Sequence, residues 1–198
     1  MALSSAGALI EADRPADALL AGEVAELTAS LPAPLPPGYR SELCPMLQPW
    51  IGALGACLAY GAALIIDYGV GRREYYHPQR EQGTLRCHFR HRSHDDALLY
   101  PGLQDITAWV DFTRVAEAAV EARLEVGGYC TQAAFLLANG IEADLESTSA
   151  GERPRLASEA RQLLLPGEMG ESFKVMALTR DVPVPLRGFE YQDLRRSL

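Results

Sequence analysis

Apolar residues recur at helical spacing from Leu19 through Leu20, Val24 and Leu27, behind Asp13 and Pro15, until PAPLPPG breaks the pattern. This predicts a first helix of about 15 residues started near Asp13, each residue adding 1.5 Å of rise. Residues 32–38 hold four prolines and read as an extended connector, because proline removes backbone donors. Cys44, Leu47, Ile51, Leu54 and Leu58 then share one helical face, with Pro45 in the first turn and Pro49 placed to kink it. Ala62–Tyr68 is short, apolar and lacks alternation, which predicts a strand covered on both faces, as in parallel sheets.

From Gly69 to Ala108 neither period is sustained, and so long a loop in a compact domain is usually functional. Asp111 caps a helix running to about Arg123, and residues 124–130 read as a strand. Thr131 caps the helix TQAAFLLAN, which Gly140 stops. Residues 142–154 are polar and read as mobile; 155–165 are helical, PGEMG is a turn, and 173–179 form a last strand before a Pro-rich tail. The order is α/β with three clear strands, fewer than an apolar strand at 62–68 needs around it.

Composition adds limits. At 198 residues the chain holds one domain with a real core. It is 48% hydrophobic and 22% charged, with no apolar run of membrane-spanning length. A net charge of -8 repels phosphate backbones, so nucleic acid is disfavoured as a partner. The four cysteines form no CxxC pair, and the opening MALSSAGALIEADR has no basic region ahead of an apolar core, so the expected compartment is the cytoplasm.

Candidate chemistry gathers after the strand at 62–68. Its end, Asp67-Tyr68-Gly69, delivers a carboxylate to the rim where α/β sheets bind ligands, although an aspartate before a glycine can equally be turn chemistry. Gly69-Val70-Gly71 opens like a dinucleotide fingerprint, but the third glycine is missing and position 74 is glutamate. Residues 72–92 carry six arginines against two glutamates, a patch suited to an anionic cofactor group, an acidic partner surface or RNA, or simply to solvent. His88, His91 and His94 would share a face only in a helix, and their arginine neighbours repel a cation, so no metal is expected. His94-Asp95 reads instead as an imidazole oriented by its carboxylate, for proton transfer or to pin the loop. No covalent-nucleophile signature is present. Asp105 adds a carboxylate able to bind a guanidinium, whereas Asp111 reads as a cap.

The segments YRSE (39–42), LIIDYG (64–69), REYYHPQREQGTLRCHFRHRSHDD (73–96), PGLQDITAWVDF (101–112), TQAAFLL (131–137) and LLLPGEMGESFKVMAL (163–178) together resemble the MidA-like family of S-adenosylmethionine-dependent methyltransferases. Its mitochondrial members are complex I assembly factors that methylate arginine on a partner subunit. The resemblance implies a class I, Rossmann-like fold of which only the C-terminal portion is present: strands 5, 7 and 6, at 62–68, 173–179 and 124–130, in one partial domain. The glycine-rich cofactor loop, the ribose-holding acid and the Asn-Glu segment of the family are not found. Asp67, Tyr68, Glu74, His94, Asp95 and Asp105 would line the cleft facing S-adenosylmethionine, with Asp67, Glu74 and Asp105 suited to a guanidinium on a protein substrate. Three readings stay open: a protein arginine methyltransferase represented by one half, a non-catalytic remnant or split subunit, or an RNA-contacting module working through residues 72–92. In each case the edge at 62–68 is left raw, so self-association or pairing with another chain is expected.

Overall fold

The computed structural model describes residues 1–198. In chain order the elements are β1 (Ala2–Leu3), β2 (Leu9–Ile10), α1 (Ala18–Ser30), α2 (Leu47–Cys57), β3 (Gly61–Val70), α3 (Arg72–Tyr75), β4 (Arg86–Phe89), β5 (Arg92–His94) and β6 (Asp105–Thr107). They continue with β7 (Val110–Asp111), α4 (Phe112–Glu121), β8 (Glu125–Thr131), α5 (Gln132–Asn139), α6 (Ile141–Ser147), α7 (Arg153–Leu164), α8 (Met169–Ser172) and β9 (Phe173–Arg180). Two units divide the chain: one is Met1–Pro45 with Tyr76–Trp109, the other Met46–Tyr75 with Val110–Leu198. No helix is long and apolar enough to cross a membrane.

The second unit is built on a mixed four-stranded sheet, β7-β3-β9-β8. β9 runs antiparallel to both β3 and β8, while β7 joins β3 in parallel at Gly69 and Val70 alone. The strand order expected from the resemblance, 62–68 then 173–179 then 124–130, is therefore the observed one. On one face lie Tyr129, Met176 and Leu178 of the sheet with Ile51 of α2 and Phe112, Val115 and Ala119 of α4, all essentially sealed from solvent. On the other, Val175, Ala177 and Cys130 pack with Phe189 and Phe135.

β3 departs from the expectation of cover on both faces. Its burial alternates: Ala63 and Ile65 turn inward while Leu64, Ile66 and Tyr68 stand 49%, 50% and 40% exposed. One edge of 61–68 is paired with β9 throughout, and the other carries no strand until Gly69. The uniform apolar composition of this strand thus records one packed face and one open face rather than burial twice over.

Short-range signals behave as their chemistry dictates. Asp111 and Thr131 cap α4 and α5 by accepting from the Arg114 and Ala134 N–H groups, and Gly140, at φ 91°, ends α5 in the left-handed region. Asp17 rather than Asp13 caps α1, accepting from Leu20. α2 starts at Leu47, so Cys44 and Pro45 lie outside it and Pro49 sits in its first turn, where a missing N–H costs no helical bond. Of residues 142–154, expected to be mobile, the first six belong to α6 and the last two to α7, and the PGEMG turn runs into α8.

After β9 the chain returns along the free edge of β8. Leu194 N–H donates to Tyr129 O, the Gln192 amide oxygen accepts from Thr131 N–H, and the Arg195 guanidinium donates to Val126 O. Phe189 lies against Gly128 so closely that a Cβ there would fall 2.2 Å from its ring. Residues 181–198 therefore cover the outer edge of the sheet.

In the first unit the expected loop at 69–108 contains an antiparallel sheet, β5-β4-β6. The Glu42 carboxylate anchors its approach, accepting from Thr84 N–H and Oγ1–H and from Leu85 N–H, while the Thr84 hydroxyl accepts from Trp109 N–H. Gly83, at φ 73°, lies so close to this carboxylate that a Cβ would overlap it. Cys87, fully buried, faces His94 and Ile106 across the sheet.

Candidate active site at the end of β3

Asp67 and Tyr68 occupy successive positions of β3 and therefore point to opposite faces. Register places Asp67 opposite Lys174 and Tyr68 opposite Phe173 on β9. The Tyr68 and Phe173 rings stack at 3.9 Å with a 42° tilt, which fixes the tyrosine on the open face. The Asp67 carboxylate accepts from Tyr68 N–H at 2.8 Å and is otherwise exposed, free to receive a cation.

Glu74 stands exposed on α3, one short turn beyond the strand. Its charge acts on Lys174, whose ammonium is pushed below the usual lysine range by burial, against the opposing pull of Glu74 and Glu171. Lys174 Nζ also donates to Glu171 O. Asp67, Glu74, Glu171 and Lys174 therefore share the carboxyl-end rim of β3, where α/β sheets bind ligands. Tyr129 lies beneath: burial raises its phenol, and the charges of Glu74 and Asp111 raise it further. Sequence alone does not reveal Lys174, because its place opposite Asp67 follows only from strand register.

The glycines after the strand serve packing. A Cβ on Gly69 would fall 2.2 Å from Val110 O and 2.8 Å from the Phe112 ring, and one on Gly71 would fall 2.6 Å from Ser197 O. Gly69 is buried and Gly71 partly exposed.

The arginine run divides on inspection. Arg72 is held inside the second unit by Asp111 at 3.4 Å and by a two-point contact with Glu117, and it also donates its N–H to the Thr113 hydroxyl. Burial works against the guanidinium charge, but Glu117 and Asp111 outweigh it and hold its pKa above the usual arginine value. Asp111 is raised by burial, partly offset by Arg114 N–H and Arg72. Arg72 is thus an internal strut, not part of a basic surface, and Asp111 serves it as well as the helix cap.

The other sequence candidates belong to the first unit. Asp95 accepts from Arg86 at 2.8 Å, so it does not orient His94, whose two ring nitrogens are sealed from solvent without a hydrogen-bond partner. The His94 ring meets Tyr100 edge-on at 6.0 Å instead. Asp105 is exposed on β6 opposite His88. No group of three or more His, Cys, Asp or Glu is placed to hold a metal ion. The Cys130 thiol, pushed up to about 12 by burial, donates to Gly188 O and stays protonated at neutral pH.

Residues 7–130 match a family described as "Putative S-adenosyl-L-methionine-dependent methyltransferase". The mouse mitochondrial protein arginine methyltransferase NDUFAF7 is 35% identical over 144 residues, which are 69% of this chain and 31% of that protein. Its Drosophila melanogaster homolog is 33% identical over 159 residues, 76% of this chain and 35% of its own. A solved structure of a superfamily member from Burkholderia thailandensis, bound to S-adenosyl-homocysteine, aligns with a TM-score of 0.91 at 42% identity, over 99% of this chain and 50% of that one. The chain spans about a third of these curated relatives and about half of the solved protein. It belongs to the family of S-adenosyl-L-methionine-dependent methyltransferases.

Proposed function

We propose that these residues form the acceptor side of a methyltransferase acting on arginine of a protein substrate, as the C-terminal portion of its catalytic fold. The observation that carries this is the acidic rim at the end of β3. Asp67 and Glu74 offer carboxylates to a guanidinium, by charge-assisted bonds of the kind that favour planar, two-point recognition. Tyr68 adds an exposed ring on the other face of the strand. What these residues contribute is holding and orienting the attacking nitrogen.

The glycine pair after β3 is packed against Val110, Phe112 and Ser197, which speaks against that pair as the nucleoside seat. In this reading the residues of the β3 rim hold the acceptor and leave the methyl donor to a different surface. Two titrations test the reading. Calorimetry of this chain with S-adenosyl-homocysteine is expected to show no binding, and micromolar affinity would overturn the division of labour. In NMR titration with a short arginine peptide, the amides of 67–74 and 171–174 are expected to shift, and Asp67→Asn with Glu74→Gln to abolish the response. A wild-type spectrum indifferent to arginine would refute the acceptor role.

A second reading, a split subunit or interaction module, is favoured by one observation: the unpaired edge of 61–68 beside exposed Leu64 and Ile66. Such an edge is a template for pairing. Sedimentation is expected to show a concentration-dependent dimer that Ile66→Lys dissolves; a monomer at all concentrations would remove this reading.

A further inference from the structure

Within the first unit, two arginines of the basic run are satisfied locally. Arg80 lies over the Trp109 ring at 4.4 Å, and Arg86 pairs with Asp95. Arg90 and Arg92 have no carboxylate partner, and they frame the turn between β4 and β5. That turn has two residues, Arg90 and His91, between the paired Phe89 and Arg92. Both have positive φ, 49° and 63°. A two-residue hairpin with left-handed backbone at both positions ordinarily takes Asn-Gly, which adopts it with little strain. Here it holds two long cationic or titratable side chains at an exposed tip, and strain retained at such a place commonly marks function.

The charge pattern supports this. Residues 86–94 contain three arginines, three histidines and no carboxylate, in a chain of net charge -8. The acids of the same sheet lie away from the tip, Asp95 on Arg86 and Asp105 opposite His88. We infer that the β4–β5 tip is a docking site for an acidic segment of a protein partner, gripped by Arg90 and Arg92 with His91 between them. RNA fits less well. Phe89, the one phenyl, phenol or indole ring of the hairpin, is flanked by Tyr100 at 4.5 Å and the Arg90 guanidinium at 5.3 Å, so it is not freely presented to a base. The inference does not rest on the acceptor role of Asp67, since binding at the tip needs neither methyl donor nor arginine.

The test uses the full chain, a labelled glutamate-rich peptide and a labelled single-stranded RNA of equal charge, followed by fluorescence anisotropy at low and physiological salt. The double variant Arg90→Asn/His91→Gly relaxes the turn, so its melting temperature is expected to rise while peptide affinity falls about tenfold, a trade of stability against function. Arg92→Gln should weaken the peptide about threefold or more without a change in melting temperature, as a partly screened charge pair would. Peptide affinity equal in all three proteins, no peptide binding to the wild type, or tighter binding of the RNA would each overturn the assignment.

Discussion

Replacing Arg180 with methionine is expected to lower the stability of the second unit by about 3 kcal/mol, because hydrogen bonds to a charged donor contribute about 1.5–3 kcal/mol each and helix-end carbonyls recover part of that from water. The guanidinium closes β9 by donating to four carbonyls: Gly55 and Leu58 at the end of α2, and Ala122 and Arg123 at the end of α4. Both helices turn their negative ends toward it, so the charge acts with both dipoles. Methionine keeps most of the apolar stem, which isolates the loss of the head group. In a chain of this length 1 kcal/mol moves the melting temperature by about 2–4 °C, so a fall of about 6–12 °C is expected in calorimetry. Arg180→Lys should recover only part of it, since one ammonium cannot reach two helix ends as a planar fork does. A change below about 2 °C would mean the carbonyls are hydrated equally well without it.

Gly69→Ala is the second large effect. The added Cβ would overlap Val110 O, a backbone atom that cannot rotate away, and would press on the Phe112 ring in the core. Overpacking against movable side chains costs about 1–3 kcal/mol, and a backbone obstacle puts this substitution at or above the upper end. The β3–β7 pairing at 69–70 is the contact expected to open, and Asp67 and Tyr68 immediately precede it. Loss of the arginine-peptide response should therefore accompany the drop in melting temperature. Gly52→Ala provides the contrast: nothing lies within 4 Å of its Cβ in the interior of α2, so it should stabilise by about 0.5–1 kcal/mol through helix propensity. Equal effects of the two substitutions would show that the close approach at Gly69 does not matter.

The parts of this architecture legible from sequence are those decided by neighbours. Asp111, Thr131 and Gly140 announce helix ends because a carboxylate, a hydroxyl and a left-handed glycine each act within three or four residues. Strand β3 is legible for its composition and misleading for its burial, because an open apolar face and a packed one look alike without tertiary context. The sheet in the first unit escapes notice for a specific reason. Its hairpin turns on Arg-His instead of Asn-Gly, so the expected turn signal is missing just where the strain lies. Lys174 and the Glu42 anchor are joined to their partners by register and loop path across many residues, which no local pattern encodes. Adjacency in the chain likewise suggests that Asp95 orients His94, whereas Arg86 takes the carboxylate and both His94 ring nitrogens lack a partner.

The return of residues 181–198 along β8 leaves the mixed sheet asymmetric, with one flank sealed by Leu194, Gln192 and Arg195 and the other open along 61–68. A lamella able to accept a neighbour on only one side cannot propagate. Pairing of this sheet through 61–68 therefore ends at a closed pair related by a two-fold axis.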